Sequence, residues 1–319
     1  MRCKPYWKFN QTRSEYCDSI FDKLEKGNKM IELTTTQKTK KVLIADSTQM
    51  DDFLQCETLW RYKDLDRLQM GQLSEPLILG TFAHKMMEIY YKHRAMNYSI
   101  KESLSAALDL NPPQEIIPLS EDTRMKVKER FRIYVANFSQ TSDIVPLSEK
   151  HVEVGFSEII YEDCEHIFIL EGKIDLFGRL AGLNIVMDHK WQMRKKALYK
   201  KAIQFRNYAM IGKVGTLIIN YVRMAQKVDQ ETFQREIVSF MAAEHEWWKG
   251  EVIKIFHRML KARLSGIYDQ NRASCSGKYG YPCSYTEICE HIDPYVIEAK
   301  KKLYHIAPKW LPWGMTELE

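Results

Sequence analysis

The sequence predicts a mixed α/β core in the order helix, three antiparallel strands, helix, strand, wrapped by N- and C-terminal helices. Residues 151–191 contain three successive stretches rich in β-branched and aromatic residues, separated by short turns. A helical pattern over 197–212 then leads directly into a fourth such stretch at 216–224. Apolar residues at helical spacing recur on both sides of this block, which indicates helices around one compact core.

The elements before the strands are predicted to be helical. A helix begins at Ser47, whose side chain is a plausible N-cap, and it carries Cys56. A second helix covers 80–94 and opens at Gly80, and a third spans about 121–138. Residues 110–118 contain three prolines and are predicted to form a loop.

After the fourth strand the pattern returns to helix over 228–264, and a Gly-, Pro- and Cys-rich irregular segment follows at 271–291. Residues 1–43 show no sustained apolar period. We therefore expect an N-terminal extension at 1–46, one domain at 47–291, and a C-terminal tail at 292–319 packed on the same domain.

Composition narrows the class of protein. A chain of 319 residues with 45% hydrophobic residues can bury a large core. No apolar stretch approaches the roughly 18 residues of a membrane span, and the first residues lack the apolar core of a secretory signal, so we expect a cytoplasmic protein. The formal net charge of +5 favours a polyanionic partner only mildly, because ordinary surfaces carry a similar balance.

The second and third predicted strands form an acidic hairpin. A two-residue turn at Ala181 and Gly182 places Asp175 directly opposite Asp188. Like charges so close destabilise a sheet, and a divalent cation such as Mg²⁺ would offset them. Lys190, on the same strand face as Asp188, adds an ammonium group. This set suits phosphodiester hydrolysis.

Spacing alone leaves two other interpretations of this hairpin open. Asp188 and Lys190 can form an exposed strand pair with Asp175 as a surface residue, and a register slip of one residue would move every side chain to the other face. Regular alternation also predicts that Lys173, Asp175 and Phe177 share one face.

The order of four motifs resembles the PD-(D/E)XK nuclease superfamily, specifically the RecB-like nucleases of RecB, AddB and CRISPR-associated exonucleases. The motifs are Gly80–His84, Gly172–Asp175, Asp188–Lys190 and Gln204–Tyr208. The resemblance covers about 47–291 and implies a restriction-endonuclease-like core.

The resemblance also implies the roles of particular residues. His84, Asp175 and Asp188 would bind Mg²⁺ or Mn²⁺, with the backbone carbonyl of His189 as a further ligand, and Lys190 would be the catalytic lysine. On its own, His84 would be interpreted as a hydrogen-bonded histidine on a half-buried helix.

Three further residues are implied to support the site or contact DNA. Gln204 and Tyr208 lie four apart on one helical face, although packing and a surface amide also explain them. Glu153 resembles an acidic position of the family, and an ordinary exposed strand glutamate fits equally well.

Four of the seven cysteines, Cys56, Cys275, Cys283 and Cys289, resemble the [4Fe-4S] staple of AddB and CRISPR-associated nucleases. Such a cluster would tie the two ends of the domain together. The chain departs from the family because seven residues separate the first two late cysteines, where two are usual. Zinc bound by the same thiolates is the alternative, and unlinked cysteines are a third.

The predicted function is a Mg²⁺- or Mn²⁺-dependent deoxyribonuclease, an exonuclease acting in DNA recombination, repair or phage DNA processing. Its expected partners are single-stranded DNA or DNA with open ends and a helicase or recombination protein, because the chain has no Walker A loop. The resemblance points to a bacterial or phage-encoded protein. A catalytically silent DNA-binding module and a ribonuclease are the alternatives.

Overall fold

The computed structural model describes residues 33–34, 36–71, 75–112, 118–139, 144–193, 201–225, 228–229, 231–276 and 282–312. Most of the predicted extension, including Cys3 and Cys17, lies outside these ranges, as do residues 113–117 of the predicted loop, the start of the helix predicted at 197, and part of the irregular segment.

The N-terminal part is mainly helical. In chain order it contains β1 (Lys41–Ala45), α1 (Ser47–Gln55), α2 (Glu57–Trp60) with a π-helical turn (Arg61–Leu65), β2 (Leu68–Gln69), α3 (Glu75–Ala95), α4 (Ile100–Leu108) and α5 (Glu121–Phe138).

The central and C-terminal parts supply the rest of the sheet and its covering helices. The central elements are β3 (Val145–Pro146), β4 (Val152–Glu162), β5 (His166–Leu180), β6 (Leu183–Gln192), α6 (Ile203–Gly212) and β7 (Thr216–Arg223). The C-terminal elements are β8 (Phe233–Ser239), α7 (Ala242–Ser265), α8 (Thr286–Cys289), α9 (Pro294–Lys301) and β9 (His305–Ile306).

Strand β5 is the hub of a seven-stranded sheet. It pairs antiparallel with β3, β4 and β6 and parallel with β1. Beyond β6, strand β7 runs parallel and β8 antiparallel to its neighbour. A separate two-stranded sheet joins β2 to β9. The predicted α/β core, with its helix, three antiparallel strands, helix and strand, is therefore confirmed.

The β5–β6 hairpin has the predicted turn. Ala181 and Gly182 have φ angles of 49° and 80°, the left-handed values that a two-residue type I′ turn requires, and Leu180 pairs with Leu183. The ladder of paired residues ends at Leu176 and Met187. The two strands thus separate just where Asp175 and Asp188 begin, which opens space between neighbouring carboxylates.

Two apolar clusters cover the two faces of the sheet. One contains residues of α1, α6 and α7, and the other contains residues of α3 and α5. Ile174 and Phe177 both belong to the first cluster, whereas Leu176 belongs to the second. Alternation is therefore broken beside Asp175, and the prediction that Lys173, Asp175 and Phe177 share a face is wrong. The facing position on β4 is irregular as well, since Glu153, which lies across from Asp175, adopts a left-handed φ of 56°.

The structure corrects three predicted boundaries. Lys41–Ala45 pairs with β5, so part of the predicted extension belongs to the core sheet. The N-cap of α1 is Asp46, whose carboxylate accepts the backbone N–H groups of Thr48 and Gln49, rather than Ser47. Helix α3 begins at Glu75, ahead of the predicted start at Gly80.

The prediction of continuous helix over 228–264 is also wrong. Phe233–Ser239 forms β8 at the sheet edge, and helix α7 starts only at Ala242.

In the part of the chain that the structure describes, no helix combines the length and the apolar character needed to cross a lipid bilayer.

Candidate active site

Three carboxylates come from three adjacent strands at the place where the sheet opens. Glu153 lies between Val152 and Val154, whose partners are Leu176 and Ile174, and so falls across from Asp175. Asp188 follows Met187, the last β6 residue paired with β5. Asp175 is 8% exposed and Asp188 1% exposed, so both are removed from water. Buried carboxylates so close together require compensating positive groups.

His84 provides one of these groups. It projects from α3, the helix that buries Phe82 and Ala83 against the sheet. Its Nδ1 lies 3.5 Å from Oδ2 of Asp175 and 3.6 Å from Oε1 of Glu153. Ligand atoms of His84, Glu153 and Asp175 all lie within 4.8 Å of one another. Two carboxylates and an imidazole around one point form a donor set that fits a divalent cation.

The electrostatics of this set depend on mutual compensation. Burial raises the pKa of Asp175 to about 7, against the opposing effect of His84. Burial alone would lower the pKa of His84, but Asp175 and Glu153 outweigh it and raise that pKa to about 9. Burial favours neutral Glu153, yet His84 and Lys173 hold its pKa at about 2. A protonated imidazole here balances the carboxylate charge, which is the electrostatic role that a bound cation would also fill.

Lys173 is a site residue that the motif analysis did not assign. Its Nζ lies 2.6 Å from Oε2 of Glu153. Because Lys173 belongs to the same Gly-Lys-Ile-Asp stretch as Asp175, its position two residues earlier was the available signal. The lysine keeps Glu153 ionised and oriented beside His84.

Asp188 is held by a lysine and a glutamine. Nζ of Lys190 lies 2.6 Å from its Oδ2, and Nε2 of Gln204 donates to its Oδ1 at 3.1 Å. The same Gln204 nitrogen contacts the hydroxyl of Tyr208 at 3.0 Å, and the Lys190 ammonium lies 5.4 Å from the centre of the Phe205 ring. Helix α6 thus positions both the carboxylate and the amine.

His189 connects the two aspartates through its backbone. Its N–H donates to Oδ2 of Asp175 at 2.7 Å. Its side chain is buried and stacks on Tyr91, with ring centres 5.5 Å apart. The structure therefore brings His84, Glu153 and Asp175 together, and the Asp188–Lys190 pair joins them through this backbone link.

The four predicted cluster cysteines, Cys56, Cys275, Cys283 and Cys289, line one small cavity. The backbone N–H of Cys283 donates to the carbonyl of Cys275 at 2.8 Å, which connects the two late segments. No three of these sulfur atoms lie within 4.8 Å of one another. Burial, together with the neighbouring thiols, raises the pKa of Cys289 to about 11.

A larger cavity of about 1150 Å³ is lined by residues of β5, the strand of Asp175, and of α3, the helix of His84. Glu171 of β5 and Leu77 of α3 line it, four residues before Asp175 and seven before His84. Its wall also carries aromatic and cationic side chains: Tyr285, Trp310, Arg67, Arg263 and Lys309.

Comparison with known proteins identifies the family of this chain. A family model described as the PD-(D/E)XK nuclease superfamily matches residues 47–290. No curated protein matches the chain.

Two crystal structures are similar to this one. A candidate exonuclease from Eubacterium rectale is 11% identical with a TM-score of 0.45, covering 79% of this chain and 93% of its own. A protein named SSO0001 is 11% identical with a TM-score of 0.32, covering 90% of this chain and 98% of its own. Likenesses this low carry no argument about activity. The family match spans most of the chain, and the protein therefore belongs to the PD-(D/E)XK nuclease superfamily.

Proposed function

We propose that this protein is a metal-dependent deoxyribonuclease that hydrolyses DNA phosphodiester bonds. The observation that carries the proposal is the convergence of His84, Glu153 and Asp175 beside the ion pair of Asp188 and Lys190. This arrangement combines a candidate metal site with a positioned amine, the two parts that such hydrolysis requires.

The predicted ligands of Mg²⁺ or Mn²⁺ are His84, Asp175 and Asp188, with the backbone carbonyl of His189. Glu153 joins this proposed set because its carboxylate contacts His84. A divalent ion held by these residues would supply Lewis-acid chemistry, polarising a phosphoryl oxygen and making water a stronger nucleophile.

Lys190 is the proposed catalytic lysine. Asp188 fixes its ammonium group at 2.6 Å, and Phe205 packs beneath it. A positioned ammonium can orient the attacking water and stabilise the negative charge that develops on the phosphate. Gln204 supports this step indirectly because it donates to Asp188, and Tyr208 accepts a hydrogen bond from the same Gln204 nitrogen.

The proposed substrate is a single DNA strand, or the single-stranded end of a duplex, cut by exonuclease action. The 1150 Å³ cavity exceeds the roughly 300–1,000 Å³ typical of small-molecule pockets. Its aromatic and cationic residues resemble the stacking surfaces and basic grooves that bind single strands. A helicase or recombination protein would supply such a strand during recombination, repair or phage DNA processing in the cytoplasm.

We further propose that the four cysteines hold a [4Fe-4S] cluster. They come from both ends of the domain and line one cavity. Zinc–sulfur bonds of about 2.3 Å would need four sulfur atoms packed closely around one ion. No three of the four sulfur atoms lie within 4.8 Å of one another, and iron and zinc analysis of the purified protein distinguishes the two metals.

Two other functions are distinguished by experiment. A catalytically silent DNA-binding module needs no intact Asp188–Lys190 pair, which this chain has. A ribonuclease would use the same groups on an RNA strand.

The discriminating assay incubates end-labelled linear DNA, circular DNA and RNA with wild-type protein in Mg²⁺ or Mn²⁺, with a chelator as control. We expect metal-dependent mononucleotide release from linear DNA only. Binding without cleavage supports the silent module, and preferential RNA cleavage supports the ribonuclease.

A further inference from the structure

A chain of polar side chains, two of them buried, crosses the sheet beside the candidate metal site. His189, Asn220 and Arg235 face one another on β6, β7 and β8, where they are paired in register. Nε of Arg235 donates to Oδ1 of Asn220 at 3.3 Å, and Nδ2 of Asn220 lies 2.9 Å from Nδ1 of His189. His189 is 1% exposed and Asn220 fully buried. Polar groups this deep must be satisfied by specific partners.

These contacts determine where the proton of His189 lies. An arginine Nε can only donate, so the carbonyl oxygen of Asn220 faces Arg235 and its amide nitrogen faces His189. An amide nitrogen also only donates, so Nδ1 of His189 must be the acceptor. The imidazole is therefore neutral and carries its proton on Nε2.

The same arginine also supports the opposite side of the imidazole ring. Tyr91 stacks on His189 at an interplanar angle of 17°, and its hydroxyl lies 2.8 Å from that of Tyr134. Nη2 of Arg235 donates to the Tyr134 hydroxyl at 3.2 Å. Both the tautomer and the ring orientation of His189 thus depend on one half-buried cation.

The N–H at Nε2 has no hydrogen-bond partner among the residues that the structure describes. An unsatisfied buried donor is destabilising, and natural proteins retain few of them. The ring centre of His84 lies 6.2 Å from that of His189, so the His189 ring lies beside the histidine that contacts Glu153 and Asp175. An oxygen atom held at the cluster is the acceptor that would satisfy it.

We infer that Nε2 of His189 is a fixed hydrogen-bond donor to an oxygen ligand at the carboxylate cluster, and that Asn220 and Arg235 are positioning residues that set its tautomer. The oxygen belongs either to water or to a phosphate, both of which accept a hydrogen bond in the same way. This inference rests on the proposed function, because it gives the oxygen a place in phosphodiester hydrolysis.

The first test observes the tautomer directly. Nitrogen-15 NMR of histidine-labelled wild-type protein should show His189 protonated at Nε2. In Asn220→Asp the carboxylate keeps its contact with Arg235 but can only accept from His189. We expect the proton to move to Nδ1 with a melting temperature that shows a folded protein. Wild type protonated at Nδ1 overturns the inference.

The second test identifies the oxygen. The Nε2–H proton resonance of wild type is followed on addition of Mg²⁺ alone and then of Mg²⁺ with thymidine 5′-monophosphate. A shift with Mg²⁺ alone assigns water as the acceptor, and a shift that needs the nucleotide assigns a phosphate oxygen. A resonance that responds to neither addition overturns the inference, whether or not the wild type cleaves DNA.

The third test links the donor to turnover. Loss of one preorganised donor costs on the order of 10²-fold in kcat, and we expect this loss in Asn220→Asp. His189→Gln places an amide N–H near the Nε2 position, whereas His189→Asn does not reach it, so the glutamine variant should cleave about tenfold faster than the asparagine variant. Equal rates in this pair, or full activity of a tautomer-shifted Asn220→Asp, contradict the inference. An inactive wild type refutes the proposed function instead, and the NMR result then decides the donor on its own.

Discussion

The backbone N–H of His189 donates a 2.7 Å hydrogen bond to Oδ2 of Asp175, so the residue after Asp188 fixes the carboxylate of the neighbouring strand. This bond forms where the β5–β6 ladder has already ended. The two aspartates are therefore coupled through the backbone at the point where the strands separate, and the opening between them can admit a ligand.

The metal-free protein should lose stability between neutral and alkaline pH. The pKa of His84 is raised to about 9 by Asp175 and Glu153, above the value of about 6.5 expected in the unfolded chain. Its contribution to stability is therefore fully present below pH 6.5 and is lost as pH rises through 9. Urea unfolding at several pH values with a chelator present measures this slope.

Asp175 changes stability in the same direction as His84, but at lower pH. Its folded pKa of about 7 exceeds its unfolded value, so ionisation costs stability increasingly from about pH 4 to 7.

His84→Gln should remove the alkaline slope of the free protein. An unchanged slope in that variant would show that His84 is not held as an imidazolium.

Glu153→Gln should weaken Mn²⁺ binding by at least about tenfold, since loss of even an outer-shell partner commonly costs that much. The carboxylate contacts His84 and lies among the proposed ligand atoms. Isothermal titration calorimetry measures the affinity. Glu158→Gln, on the same strand, is the matched control and should bind like wild type. Equal affinity of the two variants would exclude Glu153 from the metal set.

Anaerobically purified protein should be brown and contain about four iron atoms per chain, as expected for a [4Fe-4S] cluster. Cys283→Ser should lower the iron content and the melting temperature, because the cluster joins distant segments. The exposed Cys164 supplies the control Cys164→Ser, which should keep its iron. A colourless, zinc-containing protein would replace the cluster with the alternative metal, and a metal-free one would remove both.

Trp310→Ala should raise the KM for single-stranded DNA and leave kcat nearly unchanged. Stacking of one base contributes about 1–3 kcal/mol, so a roughly fivefold or larger increase is expected. Trp247 is 56% exposed and lies on α7, outside the cavity wall, so Trp247→Ala controls for loss of a surface tryptophan. If both variants keep the wild-type KM, the strand does not lie in the cavity.

The local parts of the fold were predictable because short-range signals specify them. A two-residue hairpin turn requires left-handed backbone, and Ala181 and Gly182 adopt it. The length of this turn sets the register of the β5–β6 hairpin. That register placed Asp175 beside Asp188 without any long-range information.

Other parts depend on contacts between segments that are distant in the chain. The place of Glu153 follows from the pairing of β4 with β5 and from its own left-handed backbone. Strand β8, Phe-Gln-Arg-Glu-Ile-Val-Ser, lacks the regular alternation of polar and apolar residues that predicts a strand, and it lies at a half-exposed edge. The partners of His189 come from β7 and β8, which sequence spacing could not connect.

The most direct test of the central claim is single-turnover hydrolysis of end-labelled single-stranded DNA in Mg²⁺ by wild type and by Lys190→Ala. Lys126→Ala, on the exposed face of α5, is the control. If Lys190 acts beside Asp175 and Asp188 as proposed, its removal should slow cleavage on the order of 10²- to 10³-fold while Mn²⁺ still binds and the control cleaves like wild type. Equal cleavage by wild type and Lys190→Ala would contradict the account.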